Sequence, residues 1–347
     1  MLKIIPLFIN HSGCPYKCVF CDQNKITGRR PIDLETAREQ IISDLQKIKK
    51  SGKSYETIIL AFYGGTFSGL TFKEMEGYSS LLGEFPEIGY IRISTRPDMI
   101  DTTILDFLYG KGVREIELGV QSLNNKVLEL SSRGYTEDIV YRAASLIKNY
   151  GFKMGFQLMA GLPGQTENSF FSTVEKTVDQ RPDMVRVYPT VVFKGTALAD
   201  MLQNSTYQPL TIEEGVEQTA RAVARFREEG IEVIRIGLHS VTDEENILGG
   251  CYHPQFRYMV ESRIIRNNIE EFLMSMIGKD GSPAGDDGTR SPVKLVIDKK
   301  YINYFKGFKN SNVEYFRAKG WELKSEFSDN MQKSVIIREK SYSLVGA

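Results

Sequence analysis

The chain has 347 residues, 41% of them hydrophobic, enough to bury a large core and more than one compact unit requires. Lys+Arg and Asp+Glu balance at 44 each, which excludes a disordered polyelectrolyte and any global electrostatic demand for nucleic acid or membrane. The opening apolar run stops at Asn10, too short for a signal core or a membrane span, so a cytoplasmic protein with no membrane attachment is expected.

Residues 4–9, 57–63, 89–94, 113–119, 152–159 and 184–189 are short runs rich in Ile, Val, Phe and Leu, bounded by Gly, Asn, Ser or Pro, and read as strands. Helical spacing occupies the intervals at residues 34–49, 72–82, 103–109, 137–149 and 169–179. Strand–helix alternation with continuous apolar strands implies a parallel sheet covered by helices through right-handed crossovers. Six such units make a partial (β/α)6 TIM-like barrel of the α/β class, followed by a long helix at 211–229 and a seventh apolar run at 231–238. Residues 278–292 are a Gly/Pro/Asp-rich loop without periodicity. A strand at 293–298, an aromatic helical segment at 301–319 and strands near 321–327 and 333–338 then form a small C-terminal α+β lobe. The expected domains are the barrel at 1–240, a connecting helical and loop segment at 241–291, and the lobe at 292–347. From Pro292 onward eleven Lys/Arg stand against six Asp/Glu, an excess that suits either a solvated surface or a polyanion footprint.

Three of the four cysteines lie in the run Cys14-Pro-Tyr-Lys-Cys18-Val-Phe-Cys21. Spacing this uneven is not a disulfide framework, and clustered thiols in a reducing compartment bind metal or do redox work. Three thiolates are one short of saturating a four-iron cluster, so a [4Fe–4S] cubane on Cys14, Cys18 and Cys21 keeps one iron open for an outside ligand. Zinc is the competing metal: it usually takes four ligands, and His11 is the only nearby candidate for the fourth. Phe20 supplies an apolar wall beside the cysteines, either for packing or for flanking an adenine.

The CxxxCx(aromatic)C pattern after the first strand resembles the signature of the radical S-adenosylmethionine (SAM) superfamily, and the likeness covers most of residues 1–260. The resemblance implies a radical SAM enzyme in which SAM chelates the open iron. Reductive cleavage then yields methionine and a 5′-deoxyadenosyl radical that abstracts hydrogen, with electrons from a donor such as flavodoxin or ferredoxin. It assigns Gly64 and Gly65 to a bare-backbone approach to the methionyl amine, with Thr66 where many members carry Glu. Ser94 and its neighbours fall at the ribose-contacting segment, where an acidic residue is common. Residues 117–136, from Glu117 to Thr136, resemble oxygen-independent coproporphyrinogen oxidases and the catalytic subunit of Elongator. By that likeness Glu117 joins the cofactor segment, Gln121 meets the ribose, Arg133 pairs with the methionyl carboxylate, and Gln157 faces the ribose. Residues 188–198 and 235–239 favour the Elongator-like subgroup.

The departures bear on substrate. The residues past 260 are too few for an acetyltransferase domain, so tRNA uridine carboxymethylation is not expected of this chain alone. With Cys14 already near the start, porphyrinogen oxidation, which in that family goes with a characteristic N-terminal segment, is not expected either. RNA or a nucleoside is the favoured substrate class, with the basic C-terminal lobe as an RNA contact. An iron–sulfur sensing protein without turnover and a zinc-stabilised nucleic-acid-binding module are the alternatives. Cys251, Tyr252, His253 and Arg257 could face a substrate or simply build a turn; one cysteine cannot build a second cluster.

Overall fold

The computed structural model describes residues 2–28, 31–238, 241, 243–280, 293–328, 335–337 and 340–342. His239, residues 281–292 of the expected loop, and positions 333, 334 and 338 of the last expected strand lie outside the described residues. The chain divides into two units, Met1–Leu210 with Ile231–Tyr252, and Thr211–Gly230 with His253–Ala347.

The first unit runs β1 (Leu2–Phe8), α1 (Gln23–Thr27), α2 (Leu34–Lys50), β2 (Thr57–Tyr63), α3 (Phe72–Glu84), β3 (Ile88–Thr95), α4 (Thr102–Gly110), β4 (Val113–Gln121), α5 (Asn125–Leu130), α6 (Glu137–Asn149), β5 (Lys153–Ala160), α7 (Glu167–Asp179), β6 (Met184–Pro189), β7 (Val191–Phe193) and α8 (Ala197–Gln203). After a helix belonging to the second unit, α9 (Ile212–Glu228), it closes with β8 (Glu232–Ile236) and β9 (Ile247–Gly250). Seven strands form one sheet in the order β1-β2-β3-β4-β5-β6-β8, every pairing parallel. It is an α/β half-barrel, as the alternation predicts. In β2, Ile59, Leu60, Ala61 and Phe62 are successively buried, so both faces of the strand are covered, the condition that produces an unbroken apolar run. A separate antiparallel pair, β7 with β9, extends the chain past β6.

The curl of the sheet follows from distances across it. Strands β2 and β6 are four places apart, about 19 Å in a flat sheet. Yet Tyr63 Oη accepts from Arg186 Nη2 at 3.0 Å. Only a concave face brings those side chains together, and the strand C-termini rim that face.

In the second unit α9 accompanies α10 (Phe256–Asp280), β10 (Val293–Asp298), α11 (Ile302–Lys306), α12 (Ser311–Ala318), β11 (Leu323–Ser328), β12 (Val335–Ile337) and β13 (Lys340–Tyr342). The sheet order is β11-β10-β12-β13, with β10 parallel to β11 and antiparallel to β12. Ile265, Ile269, Leu273, Leu295, Ile297, Phe305, Phe316 and Trp321 make its core. The aromatic segment expected to be one helix is broken at Gly307 into α11 and α12. The expected boundaries at 240 and 291 differ from this division over residues 211–230 and 241–291. The physical reason is ion pairing between α9 and α10: Arg227 Nη2 meets Glu261 Oε1 at 2.7 Å and Arg263 Nη1 meets Glu217 Oε2 at 2.6 Å. Among the described residues no helix is long and apolar enough to cross a membrane.

Candidate functional site

The cysteine loop leaves β1 and docks on the loop after β2 through main-chain atoms. Ile9 N donates to Tyr63 O at 2.9 Å, His11 N to Gly64 O at 2.9 Å, and Thr66 N to Ser12 O at 2.9 Å. A Cβ at Gly65 would sit 2.5 Å from Ile9 O and 2.6 Å from Ser12 O, so only glycine admits this approach. The two glycines quoted from the sequence therefore seat the cysteine loop itself. His11 is occupied there too: its Nε2 accepts from Gln23 N at 2.9 Å, and burial lowers its pKa.

The three cysteines are free thiols in unequal surroundings: Cys14 exposed, Cys18 buried, Cys21 half-buried. Cys14 Sγ lies 3.2 Å from Thr66 Oγ1, and Gln23 Nε2 donates to Cys21 Sγ at 3.6 Å. Burial first, then the neighbouring Cys18 and Cys14, pushes the Cys21 thiol up to about 12. Cys18 receives Arg133 Nη1 at 2.9 Å, with Arg96 Nη1 at 3.9 Å. Among the described residues no three His, Cys, Asp or Glu side chains converge on a point that could hold a single ion. A four-iron cluster asks for something else, because its thiolates bind separate irons.

Arg133 sits in a tight turn after α5, flanked by Ser132 and Gly134, both at positive φ. Its guanidinium is buried, and its partners are Cys18 Sγ, Tyr135 Oη at 2.7 and 3.0 Å, and Gly119 O. None of these is a carboxylate. Arg96, also buried, differs: Asp98 binds it through both oxygens at 2.9 Å. Arg96 also donates to Arg133 O and lies between the rings of Tyr16 and Tyr135, at 5.1 and 5.2 Å.

On the concave face, Glu117 is the hub. Arg186 Nη2 donates to its Oε1 at 2.8 Å, Arg92 Nη1 at 3.4 Å, Tyr63 Oη at 3.4 Å, and Gln157 Nε2 donates to its Oε2 at 3.3 Å. Gln157 Nε2 also reaches Ser94 Oγ at 3.3 Å. Register explains the assembly, since Ser94 pairs with Glu117 across β3–β4 and Gln157 with Arg186 across β5–β6. Burial and the Glu117 carboxylate push Tyr63 up to about 12.

The residues selected from sequence thus fall into two groups. Cys14, Cys18, Cys21, Gly64, Gly65, Thr66 and Arg133 come together around the cysteine loop, whereas Ser94, Glu117 and Gln157 join the concave network. Gln121 ends β4, buried and at φ 65, a backbone state rare for glutamine. Phe20 packs in an apolar cluster with Val127, Leu162, Val192, Leu198 and Tyr207. Arg96, Tyr135, Arg92 and Arg186 were not selected. For Arg186 a signal exists, a charged residue inside the otherwise apolar Met184–Val187 run. Cys251 Sγ donates to Leu210 O at 3.3 Å and Tyr252 Oη accepts from Val241 N at 2.9 Å. His253 belongs to the second unit.

Residues 11–177 match the Radical SAM superfamily, and residues 182–266 match the radical SAM C-terminal domain. The chain belongs to the radical SAM superfamily. It is 27% identical over 256 residues to the tRNA uridine(34) acetyltransferase of Methanocaldococcus jannaschii, covering 62% of this chain and 47% of that protein. It is 25% identical over 217 residues to the oxygen-independent coproporphyrinogen III oxidase of Salmonella typhimurium, covering 60% and 48%. The chain thus spans about half the length of these curated relatives. A solved structure of archaeal Elp3 from Methanocaldococcus infernus, lacking its N-terminus, superimposes with a TM-score of 0.59 at 20% identity, covering 85% of this chain and 70% of that one; it supports the fold. This radical SAM chain is accordingly a member of an enzyme family that uses SAM and a [4Fe–4S] cluster, in the Elongator-like and coproporphyrinogen-oxidase-like neighbourhood.

Proposed function

We propose that the chain holds a [4Fe–4S] cluster on Cys14, Cys18 and Cys21, cleaves SAM reductively at the open iron, and directs the resulting radical at RNA. When bound and reduced, such a cluster supplies one electron to the sulfonium of SAM, whose C5′–S bond breaks to give methionine and a 5′-deoxyadenosyl radical.

The observation that carries the reading is the environment of Arg133. A buried guanidinium without a counter-anion is costly. Among its described partners the Tyr135 phenol donates to Gly119 O and is held protonated by burial, which leaves the Cys18 sulfur to carry negative charge. A three-thiolate cluster is anionic and meets that need; a neutral thiol does not. Arg133, with Gly64, Gly65 and Thr66 beside the same loop, suits the methionyl end of SAM, and Ser94, Gln121 and Gln157 suit its ribose hydroxyls. Glu117, engaged by two arginines, fixes the wall on which those groups stand. Phe20 closes the apolar side of the cysteine loop. The electron is drawn from a low-potential carrier such as flavodoxin or ferredoxin.

RNA is taken as the substrate class on two grounds. The first is that the first-named relative acts on tRNA uridine by its name. The second is the excess of lysine and arginine after Pro292.

The test is anaerobic reconstitution with iron and sulfide, reduction, and chromatographic assay of 5′-deoxyadenosine from SAM. The expected result is 5′-deoxyadenosine from wild type and none from Cys18→Ala. Wild-type protein that carries a full cluster and makes none sinks the reading, and zinc in place of iron after anaerobic purification returns the site to a structural role.

A further inference from the structure

The second unit carries a run in which lysines and aromatic rings interleave, Lys299-Lys-Tyr-Ile-Asn-Tyr-Phe-Lys-Gly-Phe-Lys309. Packing sorts its rings. Phe305 points into the core. Tyr301 and Tyr304 pack against that core and stay half-buried. Tyr258, on α10, is pinned beside them by donating its hydroxyl to Asn303 O at 2.7 Å, its ring 5.3 Å from that of Tyr304.

Phe308 is held outward by the backbone. Gly307 has φ 76, and a Cβ there would lie 2.6 Å from Ser311 Oγ. Lys309 and Asn310 follow at φ 53 and 64, two successive non-glycine residues in the left-handed region, a strained arrangement that the fold must hold in place. The result is a half-exposed Phe308 ring, met edge-on by His253 at 5.1 Å with Lys309 Nζ 5.5 Å from its centre.

Lys300 meets Asp298 at 3.5 Å, but two lysines further along the run differ. Lys306 and Lys309 are exposed and form no ion pair among the described residues. Elsewhere in the same unit basic groups meet carboxylates: Arg227 with Glu261, Arg263 with Glu217, and Lys319 with Glu270. Rigid half-exposed rings set among free ammonium groups are what a single-stranded nucleic acid needs, with bases stacked on rings and phosphates neutralised by lysines. A duplex hides its base faces and would use only the lysines. An anionic membrane would likewise use the lysines, but it offers the half-buried Tyr304 and Phe308 rings no base to stack on.

We infer that Tyr304, Lys306, Phe308 and Lys309, supported by Tyr258 and His253, form a docking surface for a short unpaired RNA segment. The inference rests on the RNA reading above and gives that partner its own binding site.

The test uses the full chain and a fluorescein-labelled oligouridylate, read by anisotropy across a salt series, with a DNA duplex and phosphatidylserine vesicles as competing probes. Phe308→Ala is expected to weaken oligouridylate binding about tenfold, the lower part of the range for loss of one stacked base. Its salt slope should stay that of wild type, and Phe308→Tyr should restore affinity. Lys306→Ala with Lys309→Ala is expected to flatten the slope of log affinity against log salt by about 1.4. Thermal unfolding of each variant at the wild-type midpoint confirms that the lobe is intact. Wild-type affinity in both variants, or tighter binding to duplex or vesicles than to oligouridylate, overturns the inference. Wild-type 5′-deoxyadenosine formation is measured separately without RNA, so failure of the radical chemistry and failure of the docking surface are read apart.

Discussion

Two buried arginine sites lie within one half-barrel. On the concave wall, Arg92 and Arg186 share Glu117, and Arg92 also meets Glu115. At the cysteine loop, Arg133 has a sulfur, a phenol and a peptide oxygen. The first site is neutralised by the chain and would stand in any solvent condition that keeps the fold. The second has no carboxylate among its described partners. A protein that closes its charge balance in one place and leaves it open in another has marked where something else binds.

The comparison can be broken most severely at the cysteines. On the proposed reading Cys18→Ala removes both an iron ligand and the counter-charge of Arg133; the expected outcome is loss of iron–sulfur visible absorption and of 5′-deoxyadenosine formation, with Cys14→Ala and Cys21→Ala matching it. A variant that still builds a stable four-iron cluster would detach the cysteine loop from the cluster. Next in size, Glu117→Gln strands Arg186 while Arg92 keeps Glu115, and a buried pair broken on one side costs about 3 kcal/mol. Urea unfolding checks this, and a loss below about 1 kcal/mol would mean that water already screens the wall.

Smaller effects sharpen the contrast. Arg133→Gln keeps a hydrogen-bond donor near Cys18 but removes the charge, and hydrogen bonds and charge near cluster sulfurs set cluster potentials. Potentiometric titration followed by electron paramagnetic resonance should find the reconstituted cluster harder to reduce than wild type. Arg96→Gln should move the potential in the same direction but less, because Asp98 already cancels much of the Arg96 charge. Equal shifts from the two arginines would show that the carboxylate beside Arg96 does not set them apart.

The sheet was legible because its strands are buried on both sides: 57–63 and 184–189 coincide with β2 and β6, where unbroken apolar runs leave no other reading. Short elements escaped. α5 and α8 span six and seven residues, too few for a helical period to show, and β7 and β9 pair only because the chain returns from far away. The site shows the same split. Cys14, Cys18 and Cys21 announce themselves by spacing, and the glycines after β2 by being paired. Arg96 and Arg186 do not, since their meaning comes from register and from the curl that carries β6 back toward β2. Glu117 was selected as part of a cofactor segment, and the structure shows it bound to two arginines, a relation that no spacing along one strand encodes. In the second unit, the helical period over 301–319 concealed the break at Gly307, because the aromatic residues on either side keep the same rhythm.

Because the cysteine loop rests on the loop after β2 through peptide groups, its backbone is ordered when the barrel folds. Ordering a residue's backbone costs about 1–2 kcal/mol in conformational entropy. For residues 9–13 that cost falls on folding of the barrel, whose sheet can meet it, and none of it remains to be met when metal arrives. For a cluster assembled on the proposed cysteines, the ordering cost of residues 9–13 therefore does not weigh against the affinity for iron.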